Sequence, residues 1–322
     1  FNPMMRTAEC ISPHHPDKIC DRISDAILDA CLEQDPQSRV AVESLGGHRK
    51  IVIMGEITTN AVLNIPSIVR TVYDDVDEID VHVVKQSNFI SQGVDTGGAG
   101  DQGIMVGYAC NENPSQIPQE LYLARSLCQR LYREFPFDGK TQVTLDEGAI
   151  TAVVASFQNA PSDHLRRLVG EWLQEGSRLV SPELEVHCNP AGDWNVGGFD
   201  ADTGLTGRKL VVDNYGPRVP IGGGAFSGKD PSKVDRSAAY MARRVAVDYL
   251  KSHDASEVYV YLAYAIGHPA PVQATAIVDG VSHEVEGYDL TPQGISDLLE
   301  LKQPKYRQTA DWGHFGNGFI WG

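Results

Sequence analysis

In this 322-residue chain the apolar residues follow two periods, and the way those periods alternate limits which architectures can bury them. Strand-like runs come close together: Val40–Leu45 and Ile51–Thr58 are joined at Gly46-Gly47, and Ala149–Ser156 follows directly on Thr141–Leu145. Short apolar runs separated by glycine-containing turns predict hairpins. Further strands are expected at Val81–Val84, Ile104–Ala109, Val258–Ile266 and Val272–Val278. Between them lie stretches of helical spacing. Ile19, Ile23, Ala26, Ile27, Ala30 and Cys31 share one face, with Asp21, Asp25 and Asp29 largely opposite. That pattern predicts a surface helix reaching about Gln34 and stopped by Asp35-Pro36. Residues 162–180 have the same spacing, with Ser162 or Asp163 to cap them, and another helix is expected over Ser232–Lys251. Strands alternate with helices, but hairpins require antiparallel pairing, so the expected class is α+β and not a doubly wound sheet.

Size adds a bound. A chain of 322 residues and 35.1 kDa is expected to divide into two or three packed domains. No stretch approaches the roughly 18 consecutive apolar residues of a membrane helix, and Phe1–Arg6 has neither the basic nor the apolar region of a signal peptide. The six cysteines are scattered without a CxxC pair, which leaves zinc and redox motifs unsupported. Reduced thiols in the cytoplasm are expected, with Cys20 and Cys31 as core residues. A net charge of −16 argues against nucleic-acid partners, and no membrane partner is expected. Where cations do gather in so acidic a chain, something anionic needs them.

Two well-known motifs fail on inspection. Gly98-Ala99-Gly100-Asp101-Gln102-Gly103 satisfies GxGxxG, with Glu120 further on, but a dinucleotide fingerprint needs a strand before the glycines and a helix after. Here a turn precedes and the strand-like Ile104–Ala109 follows. Gly223 to Lys229 satisfies GxxxxGK, yet the next residue is Asp230, where a P-loop has the hydroxyl that ligates magnesium. A glycine loop, a lysine and a helix start can still hold phosphate by the same physics.

Three segments dense in glycine and polar residues are candidates for chemistry. Ser12-Pro13-His14-His15-Pro16-Asp17-Lys18 stands at the start of the first helix, where an anion is welcome and Asp17 can hold magnesium; the bland alternative makes Asp17 the helix N-cap. Asp202 to Lys209 ends in Arg208-Lys209, a fork and a point charge suited to phosphate, or else an ordinary basic turn leading into a strand at Leu210–Val212. The third runs from Gly222 to Arg236. Its three successive glycines are hard to explain as a linker, because a helix follows at once with Lys233 and Asp235 in its first turn.

These segments are recognisable. His15-Pro16-Asp17-Lys18, Gly55–Thr59 (GEITT), Gln92-Gly93-Val94-Asp95, Gly98–Gly103 (GAGDQG), Gly204–Lys209 (GLTGRK), Gly222–Tyr240 and Gly313–Gly316 (GHFG) resemble the S-adenosylmethionine synthetases in content and in order, from about residue 9 to 316. The resemblance implies three similar α+β domains around a pseudo-threefold axis, here expected at 1–96, 97–198 and 199–322. It implies ATP and L-methionine as substrates, with sulfur attacking the 5′ carbon of ATP and the released triphosphate then hydrolysed. It also implies Mg2+, with two ions per site, K+, and a homodimer at minimum, with tetramers possible and active sites shared between subunits.

Carried over motif by motif, His15, Lys140, Arg208, Lys209 and Lys229 would meet the phosphates, and Asp17 and Asp235 would hold magnesium. Asp138, Gly139 and Ala225 belong to the ATP site. Asp193 and Trp194 fall where an aromatic stacks on adenine, and Asp202 lies between methionine and the ribose. Glu56, Gln92, Asp101 and Lys233 belong to the methionine side, and Glu43 is the potassium ligand. The chain also departs from the family. His14 replaces a glycine before His-Pro-Asp-Lys, and Asp193 stands where an arginine is usual. The stretches at 71–90 and between Asp95 and Gly98 are short, so a trimmed loop over the site is expected to release product faster. A phosphotransferase built on the glycine loop and a regulatory subunit without turnover are the competing readings.

Overall fold

A computed structural model describes residues 5–85 and 97–322. Three units of one design build it. The first runs α1 (Pro16–Gln34), β2 (Arg39–Gly47), β3 (Lys50–Thr58), α2 (Ile65–Val72) and β4 (Glu78–Val84). The second repeats the plan as α3 (Gln119–Tyr132), β6 (Gly139–Asp146), β7 (Ala149–Phe157), α4 (Ser162–Gln174) and β8 (Val180–Cys188). The third has α6 (Val234–Ser252), β10 (Glu257–Tyr264), β11 (Gln273–Val278), β12 (Val281–Glu284) and α7 (Pro292–Leu298). In each, a helix leads into an antiparallel hairpin. The third strand is parallel in the first two units and antiparallel in the third.

Every sheet is completed by a strand from elsewhere in the chain. β1 (Arg6–Ile11) pairs with β6, β5 (Gly103–Cys110) with β10, and β9 (Gly204–Leu205) with β2, always antiparallel and always against the first hairpin strand. The resulting orders are β4-β3-β2-β9, β1-β6-β7-β8 and β12-β11-β10-β5. Each of the three expected segments therefore lends one strand to the sheet of the next, which locks the units together. The expected α+β class holds, and the repetition is one of structure without repeated sequence.

Several local expectations need correction. The hairpin β2–β3 turns at His48-Arg49, both at positive φ, while Gly46 and Gly47 are strand residues paired with Ile51 and Lys50. Gly46 is glycine because the ring of Phe199 lies where its Cβ would be. Leu210–Val212 is not a strand but part of α5 (Leu210–Asp213), a single turn. The helix expected through residue 180 stops at Gln174, with Gly176 at φ 70°, and Val180 already begins β8. Pro161, not Ser162 or Asp163, occupies the N-cap. Most consequentially, α1 is no surface helix: Asp21 and Asp25 are fully buried along with its apolar face. The apolar face packs on the first sheet, and loops from the C-terminal part of the chain cover the aspartates. All six cysteines are buried in the cores.

Candidate functional site

The site is laid out along one edge of β2. Near one end, Leu45 and Gly46 pair with Leu205 and Gly204, and Thr206 donates its N–H to Ser44. Toward the other end, Val42 N–H bonds to Gly228, Asp230 N–H bonds to Val40, and Ala41 bridges to Lys229. Two loops thus share one strand edge, and their nearest bonded positions, Ser44 and Val42, are about 7 Å apart at ~3.3 Å per residue. They also meet directly: a Cβ on Gly207 would stand 2.6 Å from that of Ala225. That contact joins the His-Pro-Asp-Lys segment, the Arg208-Lys209 turn and the glycine loop into one strip.

At the Gly204–Lys209 end, His15 caps α1, its Nδ1 accepting the Asp17 N–H at 3.1 Å, with Pro16 in the first turn. The cap is His15 and not Asp17. Asp17 is left to accept the Leu205 N–H at 3.0 Å and to pair with the Lys209 ammonium, while Arg208 Nε lies 3.7 Å away. Burial raises the Asp17 pKa, but the Lys209 bond and the Leu205 amide outweigh it and hold the carboxyl below its usual range. Burial, seconded by Lys209, pushes His15 down to about 4. At neutral pH His15 is therefore uncharged. With Nδ1 accepting, the proton sits on Nε2 as a hydrogen-bond donor.

Ser12 ties this segment to the second sheet by bonding Gly139 and Phe137 through its N–H and hydroxyl. Ile11 pairs with Lys140, an exposed cation whose charge reaches His15. Asp138 is buried, accepts the Gly198 N–H at 2.9 Å, and has its pKa raised by burial. Asp202 is exposed and its charge acts on both His15 and Asp138. Opposite Lys140, on β7, is Ser156, whose hydroxyl accepts the Trp194 indole N–H at 3.0 Å. Trp194 lines a shallow cleft with Asn159, Pro161, Asp193 and Asn195. The Asp193 carboxylate is already engaged with Ser162 and Asn189.

At the other end the three glycines have separate causes. A Cβ on Gly222 would fall 1.9 Å from the Ile104 carbonyl, one on Gly224 would fall 2.3 Å from the Asp235 carboxyl carbon, and Gly223 has φ +95°. The loop is therefore pressed between β5 and Asp235. Asp235 pairs with Lys229 at 2.7 Å. Asp230, the residue that spoils the P-loop motif, is a staple: its carboxylate takes the Val40 and Ser232 N–H groups and the Lys233 ammonium. Asp101 is exposed two residues before Gly103, which passes Asp235. On the outward face of the first sheet Glu56 stands opposite Ala41, and Glu43 opposite Met54. Glu56, Ala41 and Lys229 form a row across three adjacent segments of the chain, about 10 Å wide at ~4.8 Å per step. Gln92 and Asp95 lie outside the described residues.

Among the described residues no group of three or more His, Cys, Asp or Glu can cage a metal ion. Single carboxylates such as Asp17 and Asp235, each beside a lysine, suit magnesium, which keeps much of its water and is shared with substrate phosphates. Missing from the sequence reading were the buried partners behind the site. Lys18 bridges Asp21 and Asp213 at 2.9 and 2.6 Å, and Arg236 bonds Asp25 at 2.7 Å. The signal was present in the aspartates at spacing four along α1, but it looked like a solvated face.

Comparison with known proteins identifies the family. The chain matches the S-adenosylmethionine synthetase N-terminal domain over residues 3–92, the central domain over 96–194 and the C-terminal domain over 196–322. An S-adenosylmethionine synthase of Treponema denticola is 40% identical over 367 aligned positions, covering 98% of this chain and 94% of its own. One from Treponema pallidum (strain Nichols) is 42% identical over 361 positions, covering 96% and 91%. Both alignments are longer than the 322 residues here, so this chain is the shorter partner. The chain belongs to the S-adenosylmethionine synthetase family, the methionine adenosyltransferases, whose reaction makes S-adenosylmethionine from ATP and methionine.

Proposed function

We propose that the strip along β2 is where this chain carries out that reaction, with the division of labour expected from the motifs. A thioether is nucleophilic without losing a proton, so no general base is needed when sulfur attacks the 5′ carbon. The barrier lies in the leaving group, and fixed donors aimed at its developing charge are the effective remedy. His15 offers a neutral Nε2–H donor, while Lys140, Arg208, Lys209 and Lys229 offer cations. Lys209 and Lys229 rest on carboxylates that a triphosphate can replace. Asp17 and Asp235 would hold the two Mg2+ ions, which would add positive charge against the phosphates when bound. Ala225, Asp138 and Gly139 wall the ATP side, Trp194 gives a face for adenine beside Asp193, and Asp202 sits toward the ribose.

Glu56 complements the methionine ammonium, with Asp101 and Lys233 on the same side, and Glu43 is the K+ ligand. Gln92 belongs to this group by motif alone. The division at 1–96, 97–198 and 199–322, a homodimer with shared sites and a cytoplasmic location complete the proposal. The outward face of the first sheet supports the dimer: Leu45 and Met54 are 43% and 56% exposed beside Glu43 and Glu56. No helix among the described residues is long and apolar enough to cross a membrane.

The observation that carries the reading is the contact of Gly207 with Ala225, which gathers the cations of a chain of net charge −16 into one strip. It is tested by Lys229→Ala and Asp17→Asn, each expected to lower the rate of S-adenosylmethionine formation about 100-fold or more. Near-normal rates would remove those residues from the site.

A further inference from the structure

Helix α1 carries aspartates at 17, 21, 25 and 29, a strict spacing of four. Like charges so placed repel on an exposed helix. Here each carboxylate instead accepts backbone N–H groups from a different point of the C-terminal part of the chain. Asp17 takes Leu205 at 3.0 Å, Asp21 takes Gly207 at 2.9 Å, Asp25 takes Gly228 at 2.8 Å, and Asp29 takes Tyr306 and Arg307 at 2.8 and 2.9 Å. The rungs stand about 6 Å apart, at ~1.5 Å per residue. Two of the pinned amides directly precede cations of the strip, namely Gly207 before Arg208 and Gly228 before Lys229.

We propose that Asp21 and Asp25 are positioning residues for the transferase reaction: as successive rungs of this ladder they fix where the Arg208-Lys209 turn and the Lys229 loop stand relative to each other. The proposal rests on the phosphate-binding role given to those cations. A hydrophobic contact can slide along a helix, whereas a carboxylate bonded to one amide sets a register. Neither Asp21 nor Asp25 touches substrate in this scheme; both are buried and act through the loops. Asp29 uses the same chemistry to pin Tyr306 and Arg307, away from the strip, and so is an internal control.

Asp21 is the rung to test, because Lys18 keeps Asp213 when Asp21 is lost. Asp21→Ala, Asp21→Asn and Asp29→Ala are compared at a temperature where all three are folded, with melting temperature, kcat and the methionine KM measured for each. Asp21→Ala is expected to lose about 10- to 100-fold in kcat through misplacement of the cations, with methionine KM unchanged. Asp21→Asn, which keeps an oxygen for the Gly207 amide, recovers most of that loss. Asp29→Ala lowers the melting temperature but leaves kcat unchanged. Losses of kcat that track melting temperature at both rungs would overturn the proposal, as would an Asp21→Ala enzyme of normal kcat. Arg208→Ala is run alongside. If it too has a normal rate, the assignment of the cations has failed; if it is impaired while Asp21→Ala is not, only the ladder has.

Discussion

Trp194 shows how much one side chain can be asked to do. Its indole N–H is spent on Ser156, which fixes the ring plane and leaves a face toward the cleft. Base–aromatic stacking contributes about 1–3 kcal/mol when tested by alanine substitution. Trp194→Ala should therefore raise the ATP KM roughly 5- to 100-fold and leave the methionine KM alone, as steady-state kinetics in each substrate would reveal. His314 tests the buried side of the protein. It is fully buried with Nδ1 on the Tyr240 hydroxyl at 2.7 Å, and burial, then Arg236, pushes its pKa well below 6.5. The folded protein keeps this ring neutral while the unfolded chain protonates it near pH 6.5, so the unfolded state binds the extra proton. Stability from this group is intact above that pH and falls by about 1.4 kcal/mol per unit below it. Between pH 7 and pH 5, melting temperatures of wild type and His314→Gln should converge; parallel curves would contradict the assignment.

At the level of elements, the hairpins, α1 and α6 were legible because their periods are strong, and the motifs marked loops that the structure brings together along β2. What could not be read has physical causes. The aspartates of α1 resemble a solvated face in every respect visible to a hydrophobicity pattern, since burial by chain 180 or more residues distant leaves no local trace. β1, β8, α2 and α3 carry weaker patterns and gain their stability from packing between units. Asp230 was read as a carboxylate misplaced in a P-loop, and it is a structural staple. Asp230→Ser, which restores the P-loop motif, should therefore not restore P-loop chemistry. It strands the Val40 amide and the Lys233 ammonium, and should destabilise the protein by about 2–3 kcal/mol in denaturant unfolding. An unchanged unfolding midpoint would contradict the staple.

For the molecule as a whole, the exchange of strands among three units means that no unit is closed by its own segment, so the strip depends on the assembled chain. A shared site makes a further demand. Met54 lies opposite Glu43 on the exposed face proposed to meet the partner. Met54→Lys should shift sedimentation from dimer to monomer, and activity should fall in step; a fully active monomer would exclude shared sites. The central claim concerns which bond of ATP breaks. Purified protein incubated with ATP, methionine, Mg2+ and K+, followed by mass spectrometry of the products, decides it. The account predicts S-adenosylmethionine with orthophosphate and pyrophosphate. Transfer of the γ-phosphoryl group with the adenosyl–oxygen bond intact, or bound ATP that never yields S-adenosylmethionine, would contradict it.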